Sequence, residues 1–318
     1  MTSVSVALAT YRGTRFLGDQ LQSLARQTRA ADQIVVVDDA SGDDTAAEVV
    51  RMCRELSLPL LLIENSANMG STTTFGTAVA ACTGNIIFFC DQDDVWDPQK
   101  IQKTVAAFAD DSVVLAFTDA ELVDARDRAL GRRLWRNGRF TDAEQAEVAR
   151  GGALSVLLRH NVASGATIAF RKRLIDLALP IPPAFVHDWW FSLVGAASGR
   201  VVAVAEPLLR YRQHEGNQIG SVSFSLLSRL QRERAIDHTA RVRLELERFV
   251  LLGDRLREHG FGSAGDTMDA KIEHMKTRLR ARETGLCSAA VAVSRELLTG
   301  RYRRFSSHPL APVRDLVR

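Results

Sequence analysis

Asp91, Asp93 and Asp94 stand within four residues, Asp91-Gln92-Asp93-Asp94, between the apolar run IIFFC and Val95-Trp96. Carboxylates this close repel one another, so apolar packing does not select them. A divalent cation relieves the repulsion. Hard oxygen ligands suit Mg²⁺ or Mn²⁺, which such carboxylates hold together with water and substrate phosphates. The competing reading is an acidic cap on the helix that Pro98 opens. It accounts for one aspartate, Asp97 best, and leaves the three before it unexplained.

Three further clusters end strands or open helices. Val37-Asp38-Asp39-Ala40-Ser41-Gly42-Asp43-Asp44-Thr45 follows the apolar run QIVVV. A carboxylate there, Asp39, is placed to accept hydrogen bonds from a ribose or a base edge, while Ser41 to Asp44 cap the next helix. Thr10-Tyr11-Arg12-Gly13 puts a ring and a guanidinium at the end of the first strand, where they can flank a base and a phosphate. His187-Asp188-Trp189-Trp190 sets a carboxylate at the start of a helix beside two indoles. Apolar rings desolvate a carboxylate and raise its basicity, as a general base requires, and they stack on the apolar faces of sugars. A fifth segment, Tyr211-Arg212-Gln213-His214-Glu215-Gly216-Asn217-Gln218, offers His214 either as a metal ligand or as a hydrogen-bonded loop histidine.

These clusters need a frame, and the hydrophobic pattern supplies one. Strands are expected at Val4–Ala9, Gln33–Val37, Leu60–Glu64, Ile86–Cys90 and Val113–Phe117, with helices at 14–27, 43–56, 72–82 and 98–108. Strands apolar on both faces and separated by helices predict an α/β fold with a parallel sheet covered on both sides, whose ligands bind at the carboxyl ends of the strands. A helix over 142–159, a strand near Thr167–Phe170, a short helix after Asp188 and a strand at Val201–Ala205 follow. Beyond Gly220, 224–259 and 266–282 are long, Arg-rich and helical in period. The expected division is 1–219 as a catalytic domain and 220–318 as a basic helical region.

Composition agrees. The chain has 318 residues, 46% hydrophobic and 25% charged, as in an ordinary globular protein. The net charge of +3 averages unlike parts: up to Gln218 there are 22 Lys+Arg against 26 Asp+Glu, and afterwards 19 against 12. The first residues lack the basic and apolar regions of a signal peptide, and no run approaches the length of about 20 apolar residues that spans a bilayer. A cytoplasmic protein is expected, peripheral at most at the inner face of the membrane. The four cysteines are scattered without zinc or disulfide spacing. Basic residues sit on helices with few aromatics between them, which argues against nucleic acid. The basic helices face either an anionic membrane or another copy of the chain, or pack as a solvated face on the core.

The order TYRG, VVVDDASGDDT, ENSANMGSTTTF, CDQDDVWDPQKI, SGATIAFRKRL, HDWW and YRQHEGN resembles the inverting glycosyltransferases of family 2, with the GT-A fold, and within them a rhamnosyltransferase-like branch acting on cell-surface polysaccharides. The resemblance covers about Val4 to Gly220. It implies that Thr10, Tyr11, Arg12, Asp39, Asn68, Asp91 and Gln92 bind the nucleotide-sugar. It implies that Asp91, Asp93 and His214 hold Mg²⁺ or Mn²⁺, and that Asp188 is the catalytic base. Gly165, Thr167, Trp189 and Trp190 would line the acceptor side. The implied donor is dTDP-linked L-rhamnose, with UDP-hexoses open, and the implied acceptor is a glycan or lipid-linked saccharide. Thr73-Thr74 before Phe75, and HEGN after Gln213, depart from the family's usual spelling. A nucleotidyltransferase or phosphohydrolase on the same fold, or a non-catalytic nucleotide-binding protein, is the alternative. The first would show a Gly-rich basic segment after the first strand, of which TYRGTRF is a weak version. The last should have lost one of Asp91, Asp93, Asp188 and His214.

Overall fold

β1 (Val4–Thr10), β2 (Gln33–Asp38), β3 (Leu60–Glu64) and β4 (Ile86–Asp91) run parallel in the order β3-β2-β1-β4. The crossovers are α1 (Thr14–Ala25), α2 (Thr45–Glu55) and α3 (Ser71–Ala80). β1, β2 and β4 are buried along almost their whole length, as strands covered on both faces must be, while β3 forms the half-exposed edge. A computed structural model of the chain describes residues 2–215, 237–306 and 308–316.

Past β4 the sheet stops being parallel. The remaining strands are β5 (Val95–Trp96), β6 (Val113–Asp124), β7 (Ala129–Arg133), β8 (Ile168–Arg171) and β9 (Arg200–Gln213). β8 inserts antiparallel between β4 and β6, β9 runs parallel to β6, and β5 and β7 add antiparallel to β9 and β6. The expectation of an all-parallel sheet is therefore corrected for this half. Parallel neighbours need a crossover, but β8 is entered from a one-turn 3₁₀ segment, Gly165–Thr167, and a four-residue apolar strand carries no sign of its direction.

The intervening helices are α4 (Lys100–Ala106), α5 (Leu134–Asn137), α6 (Asp142–Ala149), α7 (Ala153–Leu157), α8 (Leu174–Ala178) and α9 (His187–Ser198). The single helix expected over 142–159 is two. Gly151 takes φ +90°, and Gly152 N–H returns to Glu147 O at 2.9 Å, which closes α6 as a left-handed glycine does.

Aromatic packing sets α9 on the sheet. Phe89 of β4 meets Phe170 of β8, Phe191 of α9 and Phe75 of α3 at ring-centroid distances of 5.1, 5.2 and 5.3 Å. One cluster thus fixes the start of α9 against the strand that ends in Asp91.

Met1–Ala153 with Val162–Ser221 form one compact unit, and Leu154–Asn161 with Val222–Arg318 form the other. The boundary expected between 219 and 220, and the expected helical stretch before Asp237, lie outside the described residues. The second unit contains α10 (His238–Glu258), α11 (Gly262–Glu283), α12 (Leu286–Leu298), α13 (Arg301–Phe305) and α14 (Ala311–Leu316). Its core holds ion pairs as well as apolar contacts. Buried Asp315 accepts from Arg278 Nε at 2.7 Å, Arg282 Nη1 at 3.2 Å and the Tyr302 hydroxyl at 2.7 Å. Part of the arginine content of α11 is therefore spent inside the unit, not on its surface.

Candidate active site

The ends of β1, β2 and β4 lie side by side, because Thr10 pairs with Asp38 and Ala9 with Asp91. Three loops leave this edge, and polar side chains tie each to the next. Asp38, buried, accepts from the hydroxyls of Thr10 at 2.9 Å and Ser41 at 2.5 Å, and from Ser41 N–H at 2.9 Å. The Thr10 hydroxyl is thus committed to the loop. Ser41 in turn accepts from Arg12 N–H at 2.9 Å, with Arg12 at φ +48° and Ala40 at φ +56°. Gln92 lies across Tyr11, accepting from its N–H at 2.9 Å and donating to its C=O at 3.0 Å. A Cβ at Gly13 would sit 2.2 Å from Gln92 Oε1, so a larger residue there would push this clamp aside. The exposed Tyr11 ring and the Arg12 guanidinium, 5.2 Å apart, face outward from the loop.

Asp39 is buried and bound to the loop before α3. It accepts from Asn65 Nδ2 at 2.8 Å, Met69 N–H at 2.8 Å and Gly70 N–H at 2.9 Å. Burial would raise its carboxyl, but these donors more than offset it and hold it below the ordinary aspartate range. Asn65 is a residue that sequence reasoning missed. Asn68, singled out instead, is exposed and donates to the Asp39 carbonyl at 3.4 Å.

The acidic turn after β4 is held from behind. Arg212, fully buried, donates through its N–H to Asp94 Oδ1 at 2.9 Å, through Nε to the Asp93 carbonyl at 2.7 Å and through Nη2 to Asp19 at 2.9 Å. Phe16 packs on the Arg212 guanidinium at 4.8 Å and on the His214 ring at 4.7 Å. His214 Nε2 then meets Asp93 Oδ2 at 2.7 Å. Lys100, also buried, donates to the Ala166 carbonyl and lies 4.4 Å over Trp96. Burial depresses this ammonium to about 7 while the charges of Asp94 and Asp91 work to raise it. Arg212 and Lys100 were legible only as neighbours of the motifs, in YRQH and DPQK.

The turn remains over-supplied with negative charge. Burial, then the charges of Asp93 and Asp188, push the Asp91 carboxyl up to about 7. Burial, then the charges of Asp93 and Asp91, push Asp94 well above its usual value, and its Oδ2 is buried with no hydrogen-bond partner among the described residues. This is the electrostatics of a cation site. Among the described residues, however, no group of three His, Cys, Asp or Glu side chains converges as a ready-made metal cage. Asp91 and Asp93 fit a cation whose shell the donor phosphates complete, as is usual for Mg²⁺.

Asp188 begins α9 on the same edge. Its Oδ2 accepts from Gly165 N–H at 3.2 Å and its Oδ1 from Trp189 N–H, so backbone donors orient the carboxylate. Its charge is felt at Asp91. Trp189 is half-buried beside Phe185 at 5.7 Å. Trp190 and Thr167 do not line the acceptor side as expected. Trp190 is fully buried with its indole N–H on Ala178 O at 2.6 Å, and Thr167 is buried with its hydroxyl on Ser164 O at 2.6 Å. Helix periodicity turns one of two adjacent tryptophans into the core. His187 is also buried, stacked on Phe75 at 4.0 Å, with neither ring nitrogen bonded.

A mixed sheet with nucleotide-loop, acidic-turn and helix-start clusters on one edge defines a GT-A glycosyltransferase fold. Residues 5–156 match the Glycosyl transferase family 2 model. It is 27% identical over 223 residues to an uncharacterized glycosyltransferase of Nostoc sp., covering 67% of this chain and 66%, just under two thirds, of that protein. It is 26% identical over 239 residues to the dTDP-rhamnosyl transferase RfbG of Shigella flexneri, covering 68% and 75%. In fold it is similar to S. aureus TarS 1-349 in complex with UDP-GlcNAc, at TM-score 0.56, 18% identity and coverage of 99% and 89%. It is also similar to the mannosyltransferase PcManGT of Pyrobaculum calidifontis in complex with GDP-Man and Mn²⁺, at 0.53, 19%, 99% and 86%.

Burial lowers the His187 pKa to about 3, so the folded chain refuses a proton that the unfolded chain accepts below its ordinary 6.5. The stability contributed by neutral His187 is complete above pH 6.5 and is lost as pH falls toward 3, by about 1.4 kcal/mol per unit. We expect His187→Phe, which keeps the stack on Phe75, to flatten the decline in unfolding free energy between pH 7 and pH 5. Equal slopes in urea titrations of the two proteins would show that His187 is not the titrating group.

Proposed function

We propose that the chain transfers a sugar from a nucleotide-sugar donor to a hydroxyl of a glycan or lipid-linked saccharide, with inversion, in the synthesis of a cell-surface polysaccharide. The observation that carries this is the meeting of two carboxylates of different kinds on one edge. Asp188 is oriented by backbone N–H groups, and Asp91 is raised by burial and by the charges of Asp93 and Asp188. Tyr11, Arg12 and Asp39 lie on the adjoining strand ends, where the base, ribose and phosphates of the donor would rest. Asp39 acts there chiefly by holding the 65–70 loop, and Gln92 by holding Tyr11.

In the transfer, Asp188 accepts the proton of the acceptor hydroxyl as its oxygen attacks the anomeric carbon. The bond from that carbon to the diphosphate oxygen breaks, and the nucleoside diphosphate leaves from the opposite face. Asp91 and Asp93, with His214 against Asp93, would hold a divalent cation, which would supply Lewis-acid stabilisation of the leaving group when bound. The complex of the Pyrobaculum neighbour with Mn²⁺ supports that assignment. dTDP-linked L-rhamnose is our first donor, supported by the Shigella relative. A UDP-hexose is the second, supported by a UDP-Glc-dependent β-1,3-glucosyltransferase of Escherichia coli, 23% identical over 121 residues.

The 1–219 segment is the catalytic part in this proposal, and the C-terminal helices dock it on the membrane. No helix among the described residues is long and apolar enough to cross a bilayer. The second unit nonetheless exposes Leu286 and Val291, and Leu297, Leu298, Leu310 and Val313 among the arginines of 295–314. Exposed apolar side chains rimmed by cations suit an anionic lipid surface.

Asp188→Asn should lower transfer by about 10²–10⁴-fold and leave the rise in Tm on adding dTDP unchanged. Near-normal transfer by this variant would remove Asp188 from the role of base. In a panel of nucleotide sugars, dTDP-rhamnose should stabilise the protein most. A larger shift with a UDP-hexose would reassign the donor. EDTA should abolish transfer and Mg²⁺ or Mn²⁺ restore it, whereas full activity in chelator would exclude the cation. Phosphatidylglycerol vesicles should co-sediment the protein, and Leu298→Asp with Leu310→Asp should release it. Unchanged sedimentation would mean that these helices are not the anchor.

A further inference from the structure

The tail is not the only basic part of the chain. Residues 126–139, RDRALGRRLWRNGR, carry six arginines against one aspartate. They form the turn into β7, β7 itself and α5, all in the first unit, and β7 is exposed along its whole length. Two nearby carboxylates are already spent: Asp124 pairs with Arg128 at 2.6 Å and Asp127 with Arg210 at 2.9 Å. The guanidinium groups of Arg132, Arg133 and Arg136 have no ion pair or hydrogen bond among the described residues.

These three arginines border a cavity of about 750 Å³. Its wall includes buried Trp135, fixed by its indole N–H on Thr118 O at 3.1 Å. Asp119 and Asp142 are also in the wall. Asp119 is engaged by the N–H groups of Ala120 and Trp135, at 2.8 and 3.0 Å, and neither carboxylate takes an arginine. A concavity with three unneutralised, forked cations is a receptor for an oxyanion, because guanidinium geometry matches phosphate oxygens two at a time. The volume falls in the range of small-molecule sites, about 300–1,000 Å³, and leaves room for a sugar beside a phosphate. A discrete concave site of this kind suits a discrete ligand better than the plane of a bilayer.

Its location points to the acceptor. Asp119 follows Leu115 and Phe117 along β6. Leu115 supports α9 at Gly195, and Phe117, two residues further on, packs on Trp135 at 5.6 Å, so Trp135 of the cavity wall lies on the sheet face that carries α9. β6 also pairs with β8, which begins just after the Gly165 that anchors Asp188. None of the donor loops at 10–13, 38–41 and 91–94 contributes to its lining, so the donor diphosphate does not account for it.

We propose that the arginine-lined cavity binds a phosphate or diphosphate group carried by the acceptor, so that the acceptor is a phosphate-bearing saccharide. This rests on the transferase reading above, but its first test does not. The full chain is titrated calorimetrically with inorganic pyrophosphate in EDTA. The wild type should bind, and Arg132→Gln with Arg136→Gln should weaken binding at least tenfold while the Tm shift on dTDP stays unchanged. Equal affinity in the two proteins would overturn the proposal, whatever the chain's activity. With acceptor in hand, the same variant should raise the KM for acceptor about tenfold at constant kcat, and a change confined to kcat would also overturn it. Phosphatidylglycerol vesicles separate the two sources of phosphate. The variant should sediment like the wild type. Loss of vesicle binding with pyrophosphate affinity intact would make these arginines a lipid-headgroup surface and overturn the acceptor assignment.

Discussion

The charge of the turn after β4 is the constraint on which the rest of this structure depends. Asp91, Asp93 and Asp94 cannot be brought together at a strand end without compensation, since buried like charges are costly. Arg212 supplies part of it from the last strand, holding the Asp94 carboxylate, the Asp93 carbonyl and Asp19 at once. Lys100 supplies another part from α4. What is left over, a raised Asp91 and an unpartnered Asp94 oxygen, is negative charge kept in reserve. In the proposed transfer, that turn is where the cation and the diphosphate of the donor would arrive together.

Around that turn, polar side chains work mostly as braces. Asp38, Asn65, Ser41 and Gln92 bond to one another's loops, not outward, and hold Tyr11, Arg12 and Asp39 at one edge. The strained backbone at Arg12 and Ala40 belongs to the same brace. On the other side, the Phe75, Phe89, Phe170 and Phe191 cluster fixes α9, and backbone N–H groups orient Asp188. The two carboxylates of the site thus hang from different supports, one electrostatic and one aromatic. Each can be tuned by its own neighbours.

The charge of the chain is distributed less simply than its halves suggest. The basic C-terminal region uses Arg278 and Arg282 internally, against Asp315. The first unit, acidic in sum, carries its own arginine cluster at 126–139. Net charge over a long segment averages such features away, whereas a cavity wall collects them.

The sequence by itself determined the parallel half of the sheet, the strand ends that bear Tyr11, Asp39 and Asp91, and the helix start that bears Asp188. Each of these depends on local pattern: continuous apolar runs, a glycine or proline stop, and charge placed where packing would not put it. Only the tertiary structure decided the direction of β8 and the split of the helix over 142–159. It also decided which of Trp189 and Trp190 faces the core, and that Asn65, not Asn68, grips Asp39. Arg212 is the clearest case. It stands well over a hundred residues from the carboxylate it holds, and no local pattern announces such a partner. Pairing over that distance is set by strand order, which is a property of the whole sheet and of no single segment.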